Sequence, residues 1–249
     1  VDADTGEVYN DVGRDNSYHR LYNLPWAMTF FIELYQQTGR KEYLTYACRI
    51  GQWFYQDGGD GFYPINLPIV LLDQELIKAG MMEEEQTMKT WFIRHADRIM
   101  ERDVNYPGSE VNYEQSIVAP AADVLFSVYL ITKEEKYLKA GERQLKVLEL
   151  FNGNQPDYHL YEVAIRHWDG YWFGKDRLFC DTFPHYCSAL TGNVYEMYGQ
   201  ITGNADYLKR GEDSRRGVLP MIFGDGRASC AYVYPYMVNG VRGEFYDPY

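Results

Sequence analysis

Thr38-Gly39-Arg40-Lys41-Glu42-Tyr43-Leu44 is the stretch that decides the fold, because two later stretches repeat its pattern. Thr132-Lys133-Glu134-Glu135-Lys136-Tyr137-Leu138 and Thr202-Gly203-Asn204-Ala205-Asp206-Tyr207-Leu208 also place a threonine five residues before a Tyr-Leu pair. An apolar segment precedes each stretch, and an amphipathic segment follows it. Such an internal repeat is typical of stacked helical hairpins, each with one buried and one amphipathic helix.

The segments around these turns fit that interpretation. Residues 21–35 are apolar on almost all sides, which predicts a largely buried helix. In the segment that follows, apolar residues recur at helical spacing between charged ones, which predicts an amphipathic outer helix. We therefore predict an all-α fold of repeated helical hairpins forming an (α/α) toroid, closed or incomplete, with a short irregular or β C-terminal tail. The expected hairpins are 16–58, 64–103, 113–153 and 182–225, in a single domain 1–249 that is complete or a fragment of a longer chain.

Composition excludes several classes of protein. The net charge of −12 argues against a nucleic-acid partner, because phosphate binding requires a basic surface. No apolar run is long enough to span a membrane. The four cysteines form no C-x-x-C pair, and we interpret Cys180 and Cys187 as buried thiols in preference to metal ligands. No metal and no cofactor are predicted, since the sequence has no phosphate-binding loop, dinucleotide fingerprint or zinc motif.

Residues 158–186 have an unusual chemistry. They hold three of the five histidines and two of the five tryptophans, together with arginines, a lysine and carboxylates. Side chains that are aromatic at one end and polar at the other favour the lining of a wet cleft, although a buried aromatic loop is the alternative. Related residues occupy the segments that lead into the other three predicted buried helices, at 14–20, 61–66 and 110–115. We therefore expect function at the N-terminal ends of the buried helices.

Two reaction classes suit these segments. Glycoside hydrolysis needs two carboxyl groups, and we favour Glu114 and Asp181, with Asp169 as a further candidate. Glu114 and Asp181 could instead each cap a helix, and the alternative role of Asp169 is to form a turn. Uronate elimination instead needs a group that neutralises the carboxylate and a Tyr or His base. Residues suited to these roles are Asn16, His19, Arg20, Arg166, His185 and Tyr186.

The predicted site therefore combines catalytic and substrate-binding groups. Arg20 and Arg166 are candidate clamps for a uronate carboxylate, because a planar guanidinium binds both oxygens, although each could equally form a structural salt bridge. The predicted catalytic residues are Glu114, Asp169, Asp181 and His185. The predicted substrate-binding residues are Asn16, His19, Arg20, Tyr113, Arg166, His167, Lys175 and Tyr186, with Trp168, Tyr171 and Trp172 as platforms for sugar rings.

Hairpins with aromatic and acidic residues at the N-termini of their buried helices resemble the six-hairpin glycosidase and (α/α)-toroid polysaccharide lyase superfamily. Residues 165–174 (IRHWDGYWFG) and 181–186 (DTFPHY) resemble segments of gut-bacterial members that act on uronic-acid-containing glycans, including glucuronidases and rhamnose–glucuronate lyases. The resemblance covers residues 16–225 in outline. It implies a bacterial, carbohydrate-active enzyme of polysaccharide degradation. The closed ring of that superfamily has six hairpins, whereas this chain has four predicted ones.

The expected function is glycoside hydrolysis at the end of a glucuronate-type oligo- or polysaccharide. Elimination by a polysaccharide lyase and non-catalytic glycan binding by an α/α-repeat protein are the alternatives. The expected partner is an acidic glycan, and the expected location is periplasmic or extracellular. The sequence does not give the oligomeric state, the sugar linkage or the stereochemistry.

Overall fold

The computed structural model describes residues 1–9, 20–106, 115–152, 166–169, 179–185, 188–228, 231–234, 237–238 and 241–242. Within these ranges the chain forms four helical hairpins, which confirms the predicted fold class. The helices are α1 (Asn23–Thr38), α2 (Glu42–Gln56), α3 (Ile69–Ala79), α4 (Met82–Arg102), α5 (Gln115–Thr132), α6 (Glu135–Leu148), α7 (Ser188–Thr202) and α8 (Ala205–Arg216). Short 3-10 turns follow α2, α6 and α8. The single-domain boundaries stay a prediction, since the chain divides into two compact units, residues 1–103 with 123–141 and residues 104–122 with 142–249.

The repeated turns have a common geometry that explains their common sequence. The residue after the threonine is left-handed in all three turns, with φ of 70° at Gly39, 62° at Lys133 and 71° at Gly203. The threonine hydroxyl donates to the carbonyl four residues earlier, at 2.6 Å for Thr38 and 2.7 Å for Thr132. That carbonyl already accepts the backbone amide of the threonine. The amide of the left-handed residue caps the next carbonyl, from Gly39 to Tyr35 and from Lys133 to Tyr129, both at 2.7 Å. The pattern on which the prediction depends is therefore a helix stop.

The first unit contains α1 to α4 with the later part of α5. Leu44, Ala47, Ile50 and Phe54 line the buried face of α2 and are fully buried, as their spacing predicts. In α5, the side chains from Val124 to Val128 are almost all buried, so the helix is enclosed on nearly every side. The prediction of a largely buried first helix is wrong for α1. Only Leu24, Pro25, Met28 and Ile32 are buried there, while Trp26 and Phe30 are 55% and 56% exposed, so α1 buries one face.

In the second unit, α7 and α8 approach closely through glycines. A β-carbon on Gly211 would lie 2.9 Å from the carbonyl oxygen of Gly192 and 2.9 Å from the amide nitrogen of Glu196. Only a residue without a side chain fits there, so the two backbones can pack at short range. Asn204 begins α8 as an N-cap, and its side-chain oxygen accepts from the amide of Asp206 at 3.0 Å.

The second unit also contains strands. β1 (Arg166–Asp169), β2 (Phe179–His185) and β3 (Ala231–Tyr234) form an antiparallel sheet in that order. β4 (Met237–Val238) pairs with β5 (Val241–Arg242), which is consistent with the predicted β tail.

One helix boundary was predicted wrongly. The fourth buried helix was expected from Thr182, but residues 179–185 are extended and α7 begins at Ser188. Pro184 accounts for the difference, because a proline disfavours helical backbone at the residue before it and has no amide hydrogen for a helix. The β2–β3 register also shifts between Thr182 and His185, which flank this proline. Asp181 therefore does not cap α7, so that alternative role is excluded.

Candidate functional site

Many of the predicted site residues lie outside the described residues. These are Asn16, His19, Tyr113, Glu114, Tyr171, Trp172, Lys175 and Tyr186. Their assignments stay predictions. Arg20 is described and exposed, three residues before α1, and its carbonyl accepts from the amide of Asn23 at 3.1 Å. The role of Arg20 as a substrate clamp stays a prediction.

The strand register brings several other candidates together along the backbone. His167 of β1 is the register partner of Asp181 of β2, and Asp181 is in turn the partner of Tyr234 of β3. Arg166 pairs with Thr182 in the neighbouring row. The remaining candidates in these strands are Trp168, Asp169 and His185. The sequence predicts that residues of 166–169 and of 179–185 act together. The backbone register places these two segments on adjacent strands of one sheet.

Residues 58–66 form another described part of the predicted functional end, because they include the predicted segment 61–66 and lead into α3. The loop is fastened to α4 by a buried carboxylate: the Asp60 side chain is only 4% exposed. Arg98 Nη1 donates to its Oδ1 at 2.7 Å. Arg94 Nε lies 2.9 Å from Oδ2, close enough for an ion pair although not aligned for a hydrogen bond. A buried carboxylate requires such compensation, so Asp60 fixes the loop against α4.

His95 forms a second attachment of this loop. It is fully buried, and its Nε2 lies 2.8 Å from the carbonyl oxygen of Phe62. Since a carbonyl can only accept, Nε2 carries the hydrogen, and Nδ1 is left to accept from the Tyr55 hydroxyl at 3.4 Å. Burial lowers the pKa of His95 to about 4, despite the opposing effects of the Phe62 carbonyl and Asp60. The ring is therefore neutral at physiological pH and serves as a structural core histidine.

The loop ends in groups that suit a binding surface. Tyr63 is buried, and burial raises the pKa of its phenol while the neighbouring Arg102 guanidinium lowers it. Phe62 packs edge-on against Tyr22, with ring centroids 4.5 Å apart, which joins the loop to the start of α1. Asn66 is exposed and left-handed, with φ of 53°. A left-handed residue other than glycine is uncommon and is often found at functional sites.

Asp123 on α5 is a candidate that the sequence analysis missed. Its neighbours Ala122 and Val124 are fully buried, yet Asp123 itself is partly exposed. Burial raises the pKa of its carboxyl group to about 7, and no charge among the described residues counters this shift. A carboxylic acid that stays protonated near neutral pH is the group that general acid catalysis requires.

Other classes of site receive no support from the described ranges. Nowhere in them do three histidine, cysteine, aspartate or glutamate side chains gather closely enough to hold a metal ion. Every helix in those ranges is too short or too polar to traverse a bilayer. Cys48 is a free thiol whose pKa burial raises to about 12, so it is unreactive at neutral pH.

Neither a family model nor a curated protein matches the chain. A solved protein named as a polysaccharide lyase is 49% identical over 94% of this chain, with a TM-score of 0.86. The match covers only 35% of that lyase, so the chain spans about a third of its length.

Two more distant structures share the fold. The GH76A α-1,6-mannanase from Salegentibacter sp. HEL1_6 is 17% identical, with 89% of this chain and 67% of the mannanase covered and a TM-score of 0.59. An unsaturated glucuronyl hydrolase from Bacillus sp. GL1 is 14% identical, with 93% and 64% covered and a TM-score of 0.61. At such identities only the fold is informative. The chain is therefore a relative of the polysaccharide lyase and has the fold of the six-hairpin glycosidase and (α/α)-toroid polysaccharide lyase superfamily.

Proposed function

We propose that this protein is a polysaccharide lyase, or the helical part of one, that cleaves a uronic-acid-containing glycan by β-elimination. The observation that carries the proposal is the 49% identity to a protein named as a polysaccharide lyase over 94% of this chain. Sequence reasoning placed hydrolysis first and elimination second. The identity to the lyase reverses that order, because the resemblance to named hydrolases is far weaker, at 14% and 17%.

The predicted residues supply the parts that elimination needs. A base removes the proton on the carbon next to the uronate carboxyl group, the bond to the leaving oxygen breaks, and a proton reaches that oxygen. In our proposal Arg20 or Arg166 neutralises the carboxylate, and His185 or Tyr186 acts as the base. Asn16 and His19 assist at the carboxylate. Sugar rings stack on Trp168, Tyr171 and Trp172, with Tyr113, His167 and Lys175 contributing polar contacts.

Glycoside hydrolysis is the second candidate, and Asp123 is the observation that favours it. A hydrolase needs one carboxyl group that remains protonated at working pH, and the Asp123 carboxyl has a pKa of about 7. In both mechanisms the substrate is an acidic glycan. We propose a periplasmic or extracellular location, because polysaccharide substrates are encountered outside the cytoplasm.

Product chemistry separates the two reactions. Elimination leaves an unsaturated uronate that absorbs ultraviolet light, whereas hydrolysis produces new reducing ends without that absorbance. The protein would be incubated with uronate-containing polysaccharides, and both signals followed in parallel. We expect both to rise together. New reducing ends without absorbance would establish hydrolysis, and binding without either signal would leave only the glycan-binding alternative.

Two variants connect the reaction to residues. Arg166→Lys keeps the charge but loses the planar fork, so it should slow turnover of acidic substrates far more than that of their carboxyl-reduced forms. Equal losses on both would make Arg166 structural. Asp123→Asn should abolish hydrolysis, because asparagine cannot donate the proton, and should leave elimination largely intact. A large loss of elimination in Asp123→Asn would contradict the assignment of the base to His185 or Tyr186.

A further inference from the structure

Helix α4 carries a row of three arginines, Arg94, Arg98 and Arg102. Their spacing of four residues places them on one face of the helix, on consecutive turns. All three reach the loop that leads into α3: Arg94 and Arg98 contact Asp60, and Arg102 Nη1 donates to the Gly61 carbonyl at 2.9 Å. Three cations on one helix face are notable in a chain with a net charge of −12.

The charges in this row are only partly neutralised. Asp60 carries one negative charge and is shared by two guanidinium groups, while the Gly61 carbonyl that Arg102 contacts has no formal charge. The nearest acidic residues on α4 are Asp97 and Glu101. Asp97 pairs with Lys136, at 3.3 Å, and no ion pair joins Glu101 to the arginines within the described ranges. Among the ion pairs of the described residues, Asp60 is thus the one carboxylate that contacts this row, and two of its guanidinium groups share it.

The guanidinium groups are accessible and held in place. The side chains of Arg94 and Arg98 are 51% and 41% exposed, although each directs one nitrogen at a carboxylate that is only 4% exposed. Arg94 also lies over the ring of Trp91, with its guanidinium carbon 5.1 Å from the ring centroid. Trp91 in turn stacks parallel to the buried Tyr55, with centroids 5.2 Å apart and 2° between the planes. Because the arginines are already ordered, a ligand would not have to order them.

We propose that Arg94 and Arg98, supported by the charge of Arg102, form a binding site for the carboxylate of an acidic glycan on the outer helix α4. The inference rests on the proposed function, since it takes its ligand class from there. Guanidinium groups bind carboxylates through two parallel hydrogen bonds, and the Trp91 ring, which packs between Tyr55 and Arg94, supports the position of one of these guanidinium groups. The site would hold a charged chain beside the loop that leads to the start of α3.

The alternative is that the arginines only anchor Asp60 and the loop. That role predicts that substitutions change stability but do not change how affinity depends on the charge of the ligand. A binding role predicts that affinity depends on the charge of the ligand and on salt, since the site is exposed and screened. Exposed ion pairs contribute little, so the expected effect of one arginine is about a two- to fivefold change in affinity.

Arg94→Gln is the principal variant, because it leaves the 2.7 Å bond between Arg98 and Asp60 in place. Affinity would be measured calorimetrically for a glucuronate-containing oligosaccharide and for its carboxyl-reduced form, at low and high salt. We expect weaker binding of the charged ligand only, and a smaller difference at high salt. Arg216→Gln on α8 removes an exposed arginine elsewhere and should leave affinity unchanged.

Glu101→Gln gives a test of opposite sign. It removes a negative charge from the same helix face without touching Asp60, so it should strengthen binding of the charged ligand. Thermal unfolding of each variant identifies those that lose stability. Unchanged affinity in Arg94→Gln, or equal losses on both ligands, would overturn the proposal. Elimination activity is measured separately: its absence alongside the charge-dependent binding change would refute the proposed function and leave this site standing.

Discussion

Replacing Asp73 by asparagine tests how a buried pair of carboxyl groups affects stability. Asp73 on α3 and Glu85 on α4 are both buried, at 7% and 6% exposure. Lys89 Nζ lies 3.1 Å from Glu85 Oε1 but 3.9 Å from Asp73 Oδ1, and Oδ1 has no hydrogen-bond partner among the described residues. Burial raises the pKa of Asp73 to about 6; Lys89 opposes this shift and the neighbouring Glu85 adds to it. The single charge of Lys89 therefore compensates the two buried carboxyl groups only in part.

The pKa gives both the sign and the size of the expected effect. The ordinary pKa of aspartate is 3.8, so Asp73 in the folded protein keeps its proton up to a pH about 2 units higher than in the unfolded chain. The contribution to stability is complete below pH 3.8 and is lost as the pH rises through 6. At 1.36 kcal/mol per unit, the loss is about 3 kcal/mol between pH 4 and pH 8. Asparagine has a similar shape, can donate to Glu85 and does not ionise.

Urea unfolding at pH 4, 6 and 8 measures this effect. Asp73→Asn should match the natural protein at pH 4 and exceed its free energy of unfolding at pH 8 by up to about 3 kcal/mol. Glu101→Gln, which removes an exposed carboxylate of α4, controls for the change in net charge and should follow the natural protein at every pH. An advantage of Asp73→Asn that is constant with pH, or that is larger at pH 4, would refute the reasoning.

Three further predictions concern the packing of the helices. His95→Phe should lower the free energy of unfolding by about 2–4 kcal/mol, because it leaves the Phe62 carbonyl without its donor. Since burial lowers the pKa of His95, the natural protein loses this stability as the pH falls from 6.5 toward 4. Urea unfolding should therefore show the difference between the natural protein and the variant narrowing over that pH range. Gly211→Ala should cost about 1–3 kcal/mol by forcing α8 away from Gly192, and an unchanged melting temperature would show that the backbones yield freely. Lys133→Gly should stabilise by up to about 1 kcal/mol, because its φ of 62° suits glycine; destabilisation would show that the lysine side chain matters more than the backbone.

The hairpins could be predicted from sequence because their signals are local. A threonine that bonds back to its own helix, followed by a left-handed residue, ends α1, α5 and α7 in the same way, whatever packs around them. The heptad-like spacing of apolar residues in α2 is similarly local. The start of α7 could not be predicted by the same means: an apolar segment preceded by Asp181 and Thr182 has the composition of a capped helix. Only the pairing of β2 with β1 and β3, far apart in sequence, shows that these residues are extended.

The site was predicted less completely, for a physical reason. Aromatic and basic residues in loops indicate binding by composition, so the segments around Arg20 and Arg166 could be selected without a structure. Asp123 lies instead inside an apolar run that predicts a buried helix, where a lone aspartate reads as an exception to the pattern. Its relevance depends on being enclosed without a partner charge, which is a property of three-dimensional packing. A carboxylate in such a place lowers stability whenever it ionises, so the apolar pattern of the helix gives no reason to expect one there.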